Sequence, residues 1–287
     1  ATGPYAYDYT VNPIPFDSHI FEFNQGNTIS ATEDDRWKSP VTLPFSFCFF
    51  GHSYTTVYPG TNGIISFTPR PVGQTCAYGY GIPPASPPYN TNIQYNQTSG
   101  GGDYTVPYNY SNCIYGVYED IDCHYYNTYS FNQQGDVKVG VLGSPPCRAF
   151  VFNYLNVGLY TSGHAPNVAS DYNTYQMVIY EGTNIIDVYV KHRACCASTN
   201  SHTNPPCHEG VIGLQNIKSS QILVPPGYDV SANGWTADDV AWRFSPVTPL
   251  DENATMTWYE GSVSPNNIIA TGSYTSARKV TVSPQET

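Results

Sequence analysis

Apolar side chains recur at every second position along much of this chain, and that period restricts its fold more than any other feature. Leu43, Phe45, Phe47 and Phe49 fall on one side of an extended segment, as do Val137, Val139 and Val141. Phe150, Phe152 and Tyr154 alternate with Ala149, Val151 and Asn153. Successive side chains of a strand point to opposite faces, whereas a helix needs apolar positions three and four apart. Residues 175–180 and 185–191 flank the turn formers Glu181-Gly182-Thr183-Asn184 and read as a hairpin. Further short strands are expected at 54–58, 63–67, 211–216 and 241–245. Many short strands broken by Gly, Pro and Asn predict an all-β fold, an antiparallel β-sandwich.

Two regions interrupt this rhythm. Residues 69–112 are rich in Pro, Gly and Tyr and include Gly100-Gly101-Gly102; a connection that long in a compact domain is usually functional or mobile. The second break follows Pro246 and Pro249. We therefore expect one sandwich domain over 1–246, with an extended N-terminal strand inside 1–16, and a small module over 247–287. That module has strand patterns at 255–259, 267–270 and 278–283. An immunoglobulin-like sandwich needs about 100 residues, so it reads as a partial one.

Composition places the chain outside the cell. It has eight cysteines and three N-x-S/T sequons, at Asn96, Asn109 and Asn253, which suit an oxidising compartment and glycosylation. Only 11 Lys+Arg stand against 22 Asp+Glu, a net charge of −11 that excludes a phosphate-binding surface for nucleic acid. No apolar run reaches the roughly 18 residues of a membrane-spanning helix. Ala1 is expected to be a mature terminus left by signal cleavage, or an artificial boundary.

A family resemblance rests on an ordered set of segments. Leu43-Pro44-Phe45-Ser46-Phe47-Cys48-Phe49-Phe50-Gly51, Tyr54 and Thr61-Asn62-Gly63-Ile64-Ile65-Ser66-Phe67 resemble the opening of nidogen-like domains. Still more they resemble a β-sandwich module of Bacteroidota surface proteins, including gliding-motility and type IX-secreted adhesins. The likeness continues through Ile114-Tyr115-Gly116-Val117-Tyr118-Glu119-Asp120-Ile121-Asp122, 175–181, Gly213-Leu214-Gln215-Asn216 and Ala241-Trp242-Arg243-Phe244. Trp258-Tyr259 and Val280-Thr281-Val282 are similar to PKD-like or Ig-like repeats. The resemblance implies a non-enzymatic surface module for adhesion or assembly.

Several residue sets could carry chemistry. Alternation puts Asp120 and Asp122 on one strand face and Glu119 on the other. Paired carboxylates can serve a glycosidase as acid and base, but hard oxygen ligands suit calcium better. Glu33-Asp34-Asp35 and Asp238-Asp239 could add ligands; no other cofactor is expected. The eight cysteines (Cys48, Cys76, Cys113, Cys123, Cys147, Cys195, Cys196 and Cys207) read as disulfides. Cys48 with Cys76 and Cys113 with Cys123 are the simplest pairs, and neighbours Cys195 and Cys196 need separate partners. Zinc on Cys195, Cys196, Cys207 and His208, with His192 or His202, is the alternative, although its spacing is non-standard. No G-x-S-x-G elbow, paired-histidine zincin motif or phosphate-binding glycine loop occurs.

Tyrosine supplies large, stiff, amphipathic contact area at low entropic cost. Tyr78, Tyr80, Tyr89, Tyr95, Tyr104, Tyr108 and Tyr110 fall in the long connection and mark an interface for protein or glycan, or else cover the sandwich flank. Tyr5, Tyr7, Tyr9 and Val11 form a strand pattern with no hairpin partner in sequence. Such a strand and an open sheet edge can join chains head to tail, or the strand can pair in its own sandwich. The sequence thus predicts an extracellular structural or adhesive protein, a filament subunit or an adhesin module, whose partners are its own copies, surface proteins or glycans. A carbohydrate-binding module, or a glycosidase using Asp120, Asp122 or Glu119, are the rival functions.

Overall fold

The computed structural model describes residues 6, 8–17, 22–30, 35–73, 76, 111–119, 121–122, 135–159, 172–194, 210–218, 220–228, 235–247, 255–260 and 264–273. The chain divides into two compact units, Ala1–Val247 and Thr248–Thr287.

The first unit is built from two antiparallel sheets. One contains β1 (Asp8–Ile14), β14 (Ala237–Val247), β11 (Ile186–Arg193), β10 (Tyr172–Tyr180), β9 (Ala149–Leu159), β8 (Asp136–Leu142) and β2 (Asn27–Ser30), in that order. Short β7 (Ile121–Asp122) lies beside β9. The other runs β13 (Ile222–Leu223), β12 (Val211–Gln215), β6 (Cys113–Tyr118), β5 (Ile64–Ser66), β4 (His52–Gly60) and β3 (Val41–Phe49). The second unit shows one hairpin, β15 (Thr255–Tyr259) with β16 (Ile268–Ser273).

Alternation explains the core. Leu43, Phe45, Phe47 and Phe49 of β3 meet Phe150, Phe152 and Tyr154 of β9 and Tyr175, Met177 and Ile179 of β10 in one buried cluster. Val137 and Val139 join it, while Val141 of the same pattern is 45% exposed. Rings of Tyr154 and Tyr175 stack at 4.7 Å, and Tyr154 Oη donates to Gly60 O across the sandwich at 2.8 Å. Gly63 makes this approach feasible: its φ is +78°, and a Cβ there would collide with Val117 O and Tyr175 Oη.

The expected hairpin is β10–β11, closed by a turn in which Gly182 and Asn184 have positive φ. The N-terminal strand is not unpartnered. All seven residues of β1 register with β14, from Asp8↔Val247 to Ile14↔Ala241, which corrects the picture of a free donor strand. Of the two readings left open by the sequence, this is the pairing within its own sandwich; β1 and β14 lie more than 200 residues apart, so no local pattern could choose between them. Because β1 and β2 lie on opposite edges, the connection between them must cross the sheet. Phe16 and Phe23 in that connection stack at 6.3 Å and pack on a second cluster of Ala149, Val151, Val178, Tyr189 and Ala241. Part of the outer face of this sheet is therefore covered.

Candidate functional site

At one end of the sandwich, sheet irregularities on neighbouring strands turn polar side chains inward. Between Tyr154 and Val157, β9 carries one residue more than β10, with Asn156 at φ +48°. β11 carries one extra between Val190 and His192. On the facing sheet, β6 carries one extra between Tyr115 and Tyr118. A bulge changes which face the following residues present. Here the bulges bring Glu119, just after β6, to Arg193 at the end of β11.

These two side chains form a fully buried ion pair, Arg193 Nη2 to Glu119 Oε2 at 2.7 Å. Asn173 Nδ2 donates to Glu119 Oε1, and Asn173 Oδ1 accepts the Ala194 amide at 3.0 Å. Arg193 Nη1 donates to Trp235 O, its guanidinium lies 4.0 Å over the Trp235 ring, and Trp235 Nε1 donates to Gly210 O at 2.9 Å. Burial pushes the Glu119 carboxyl up, while the charge and hydrogen bond of Arg193 and the hydrogen bond of Asn173 pull it down. The members of this hub, Glu119, Asn173, Arg193, Gly210 and Trp235, each lie at or next to the end of a described stretch of the chain.

A second network sits on the outer face of the eight-stranded sheet. Buried Asp187 accepts Arg243 Nε at 2.8 Å and Nη2 at 2.7 Å, Tyr180 Oη at 2.9 Å and Tyr189 Oη at 3.1 Å. Burial and then the Asp187 charge push the Tyr189 phenol up to about 12.

Of the acids expected in the calcium and glycosidase sets, Glu119 is fully buried, with Oε2 on Arg193 and Oε1 on Asn173. Asp120 and the side chain of Asp122 lie outside the described residues. Asp35 Oδ1 accepts Asn62 Nδ2 at 2.7 Å, Asp238 pairs with His192 at 2.6 Å, and Asp239 pairs with Lys191 at 3.0 Å. Among the described residues, no group of three or more His, Cys, Asp and Glu is placed to hold a metal.

Among the described residues, Cys48, Cys76, Cys113 and Cys147 are not bridged to one another; Cys123, Cys195, Cys196 and Cys207, with His202 and His208, lie outside the described residues. Cys48 packs in the main core and Cys76 in a separate cluster, so these two do not pair as expected. Strand β6 carries Cys113 away from Asp122, about 3.3 Å per residue, which opposes a local Cys113–Cys123 bridge. Tyr9 is buried rather than displayed and Val11 is half-buried; Tyr5, Tyr7, Tyr78, Tyr80, Tyr89, Tyr95, Tyr104, Tyr108 and Tyr110 fall outside the described residues, as do Asn96, Asn109 and Asn253.

Arg193, Asn173 and Trp235 were not singled out by sequence reasoning. Nothing in the sequence marks them: Arg193 follows Lys191 and His192, which read as the polar end of a strand.

At the opposite end, Arg148 clamps Glu181 through Nε at 2.8 Å and Nη2 at 2.7 Å. The pairing lowers the Glu181 carboxyl below its usual value. A depressed carboxyl adds stability above the unfolded pKa, about 4.3, and that stability is lost as pH falls through the folded value. Arg148→Met is expected to flatten the acid-side decline of the urea midpoint below pH 5 relative to wild type. Parallel curves for the two proteins would refute this.

A family model described as NIDO related matches residues 7–239, most of the first unit. No curated protein and no solved structure matches the chain.

Proposed function

The chain belongs to the NIDO-related family, and we propose that it is a non-enzymatic extracellular module with a structural or adhesive role. The buried Glu119–Arg193 pair supports this reading most directly. Glu119, on the strand face opposite Asp120 and Asp122, is held inside the scaffold by Arg193 and Asn173. Binding segments carried on a rigid sandwich are a common way to present a recognition surface. The Tyr-rich stretch 69–112 is the recognition surface, and its partners are surface proteins, glycans or copies of the chain. Residues 247–287 are a partial PKD- or Ig-like repeat of the kind that continues such adhesins, and Asp120 with Asp122 supplies a calcium site. No helix among the described residues is long and apolar enough to cross a membrane.

The test compares the wild-type chain with a variant carrying serine at Tyr78, Tyr80, Tyr89, Tyr95, Tyr104, Tyr108 and Tyr110. Binding to arrayed glycans and extracellular proteins, and self-association by light scattering, are measured for both. Binding or polymer formation that disappears in the variant supports the proposal. Glycan hydrolysis by the wild type that is abolished by Asp120→Asn or Asp122→Asn would replace it with a glycosidase.

A further inference from the structure

The eight-stranded sheet joins strands of two kinds. β8, β9, β10 and β11 follow one another in sequence and neighbour one another in the sheet, with short connections at 143–148 and 181–185. β1 instead pairs with β14, more than 200 residues away, along its whole length. The strands also differ in burial. β9 and β10 have buried side chains along almost all of their length. In β1 only Tyr9 is fully packed; Val11 and Ile14 are half-buried, while Asp8, Thr10, Asn12 and Pro13 are exposed.

The seat of β1 is assembled from distant parts. Tyr9 meets the rings of Phe49 and Phe50 and donates to Cys48 O, all at the end of β3. Its hydroxyl also reaches Asn184 O in the β10–β11 turn, and Ala6 O accepts the Gly51 amide at 2.7 Å. These partners belong to both sheets, so β1 finds its seat only once the sheets have come together.

We infer that β1 is a strap that docks last as the first unit folds and lifts off by itself from the native state. The entropy of closing a loop is lost before a contact between distant residues can offset it. The β8–β9 and β10–β11 ladders close short connections; the β1–β14 ladder closes the longest among the described strands. With four of its seven side chains exposed, β1 gives up little apolar contact on leaving, and its opening lies below global unfolding in free energy. β14 stays in place meanwhile, because its other side is paired with β11 from Ile186↔Phe244 to Arg193↔Ala237. Lifting the strap bares the edge of β14 and the rings of Phe49 and Phe50. Docked, it keeps an adhesive strand edge covered.

The experiment is stopped-flow folding and unfolding of the full chain in urea, for wild type, Tyr9→Phe and Ile179→Val. Tyr9→Phe removes only the hydroxyl of the strap's anchor, and Ile179→Val removes one carbon from fully buried β10 packing. Tyr9→Phe is expected to speed unfolding about fivefold, the net value of one hydrogen bond converted by RT, with the folding rate unchanged. Ile179→Val is expected to slow folding about two- to fourfold. Tyr9→Phe slowing folding as much as Ile179→Val would put β1 in the folding nucleus and overturn the inference. Hydrogen exchange of the native chain decides the matter if refolding is incomplete. The slow amides of 8–14 should open with a weak dependence on urea, and those of 149–159 with the full dependence of global unfolding. Equal dependence in the two segments means that β1 leaves only when the whole unit unfolds, and there is no strap.

Discussion

Glu119→Ala is expected to cost the fold about 3–5 kcal/mol, because it leaves the Arg193 guanidinium buried without its counter-ion. Against a typical domain stability of about 5–15 kcal/mol, that is enough to leave a marginal protein unfolded. Both side chains are fully buried, so water cannot replace the lost partner. Arg193 keeps Trp235 O and the face of the Trp235 ring, neither of which carries a full charge. Arg193→Ala is expected to be comparably damaging: it strands the carboxylate with the Asn173 amide and opens a void beside Trp235. Removing both charges together should cost less than either single change, since neutral groups of matched shape avoid desolvating ions. Glu119→Gln combined with Arg193→Met provides that comparison. Urea midpoints of wild type, Glu119→Gln, Arg193→Met and the double variant close a double-mutant cycle. Single variants within 1 kcal/mol of wild type would show that the pair does not hold the hub together.

The sandwich itself was legible because period-2 alternation survives in nearly every strand. Leu43 to Phe49 and Phe150 to Tyr154 occupy the core their spacing assigns them. The hub was not legible, because bulges defeat that rule at the point where it would have been applied. Simple alternation gives Arg193 the same face as Asp187 and Tyr189, yet the extra residue on β11 after Val190 turns it inward. Glu119 follows the extra residue on β6 and is displaced in the same way. No short-range signal in the sequence marks either bulge. The paired partners lie 74 residues apart in the chain. The same distance problem hid Asp187–Arg243 and the common cluster of Cys76 and Cys113, while Cys48 and Cys76 looked like partners only because they are near in sequence. Glu119 drew attention as a surface acid in an acidic run, and charge patterning cannot reveal that one member of such a run is internal.

Tyr9→Ala is expected to cost about 3–5 kcal/mol, as for other large aromatic truncations in a core. Tyr9 is only 4% exposed, and its ring meets Phe50 at 5.1 Å and Phe49 at 5.9 Å. Its hydroxyl donates to Cys48 O at 3.0 Å and, less closely, to Asn184 O at 3.3 Å, so this one residue ties β1 to both sheets. Tyr9→Phe keeps the ring and should cost about 1 kcal/mol, the usual net value of a hydrogen bond. The concentration dependence of this loss is more informative than its size. Since β1 pairs with β14 of its own chain, the unfolding midpoint of wild type and of Tyr9→Ala should not change with protein concentration. A strand donated by a second copy would instead raise the wild-type midpoint with concentration, and Tyr9→Ala would abolish the rise. That result would restore head-to-tail strand exchange as the assembly mechanism. A flat midpoint means that any polymer must form through surfaces other than β1, which leaves the Tyr-rich stretch as the first surface to mutate.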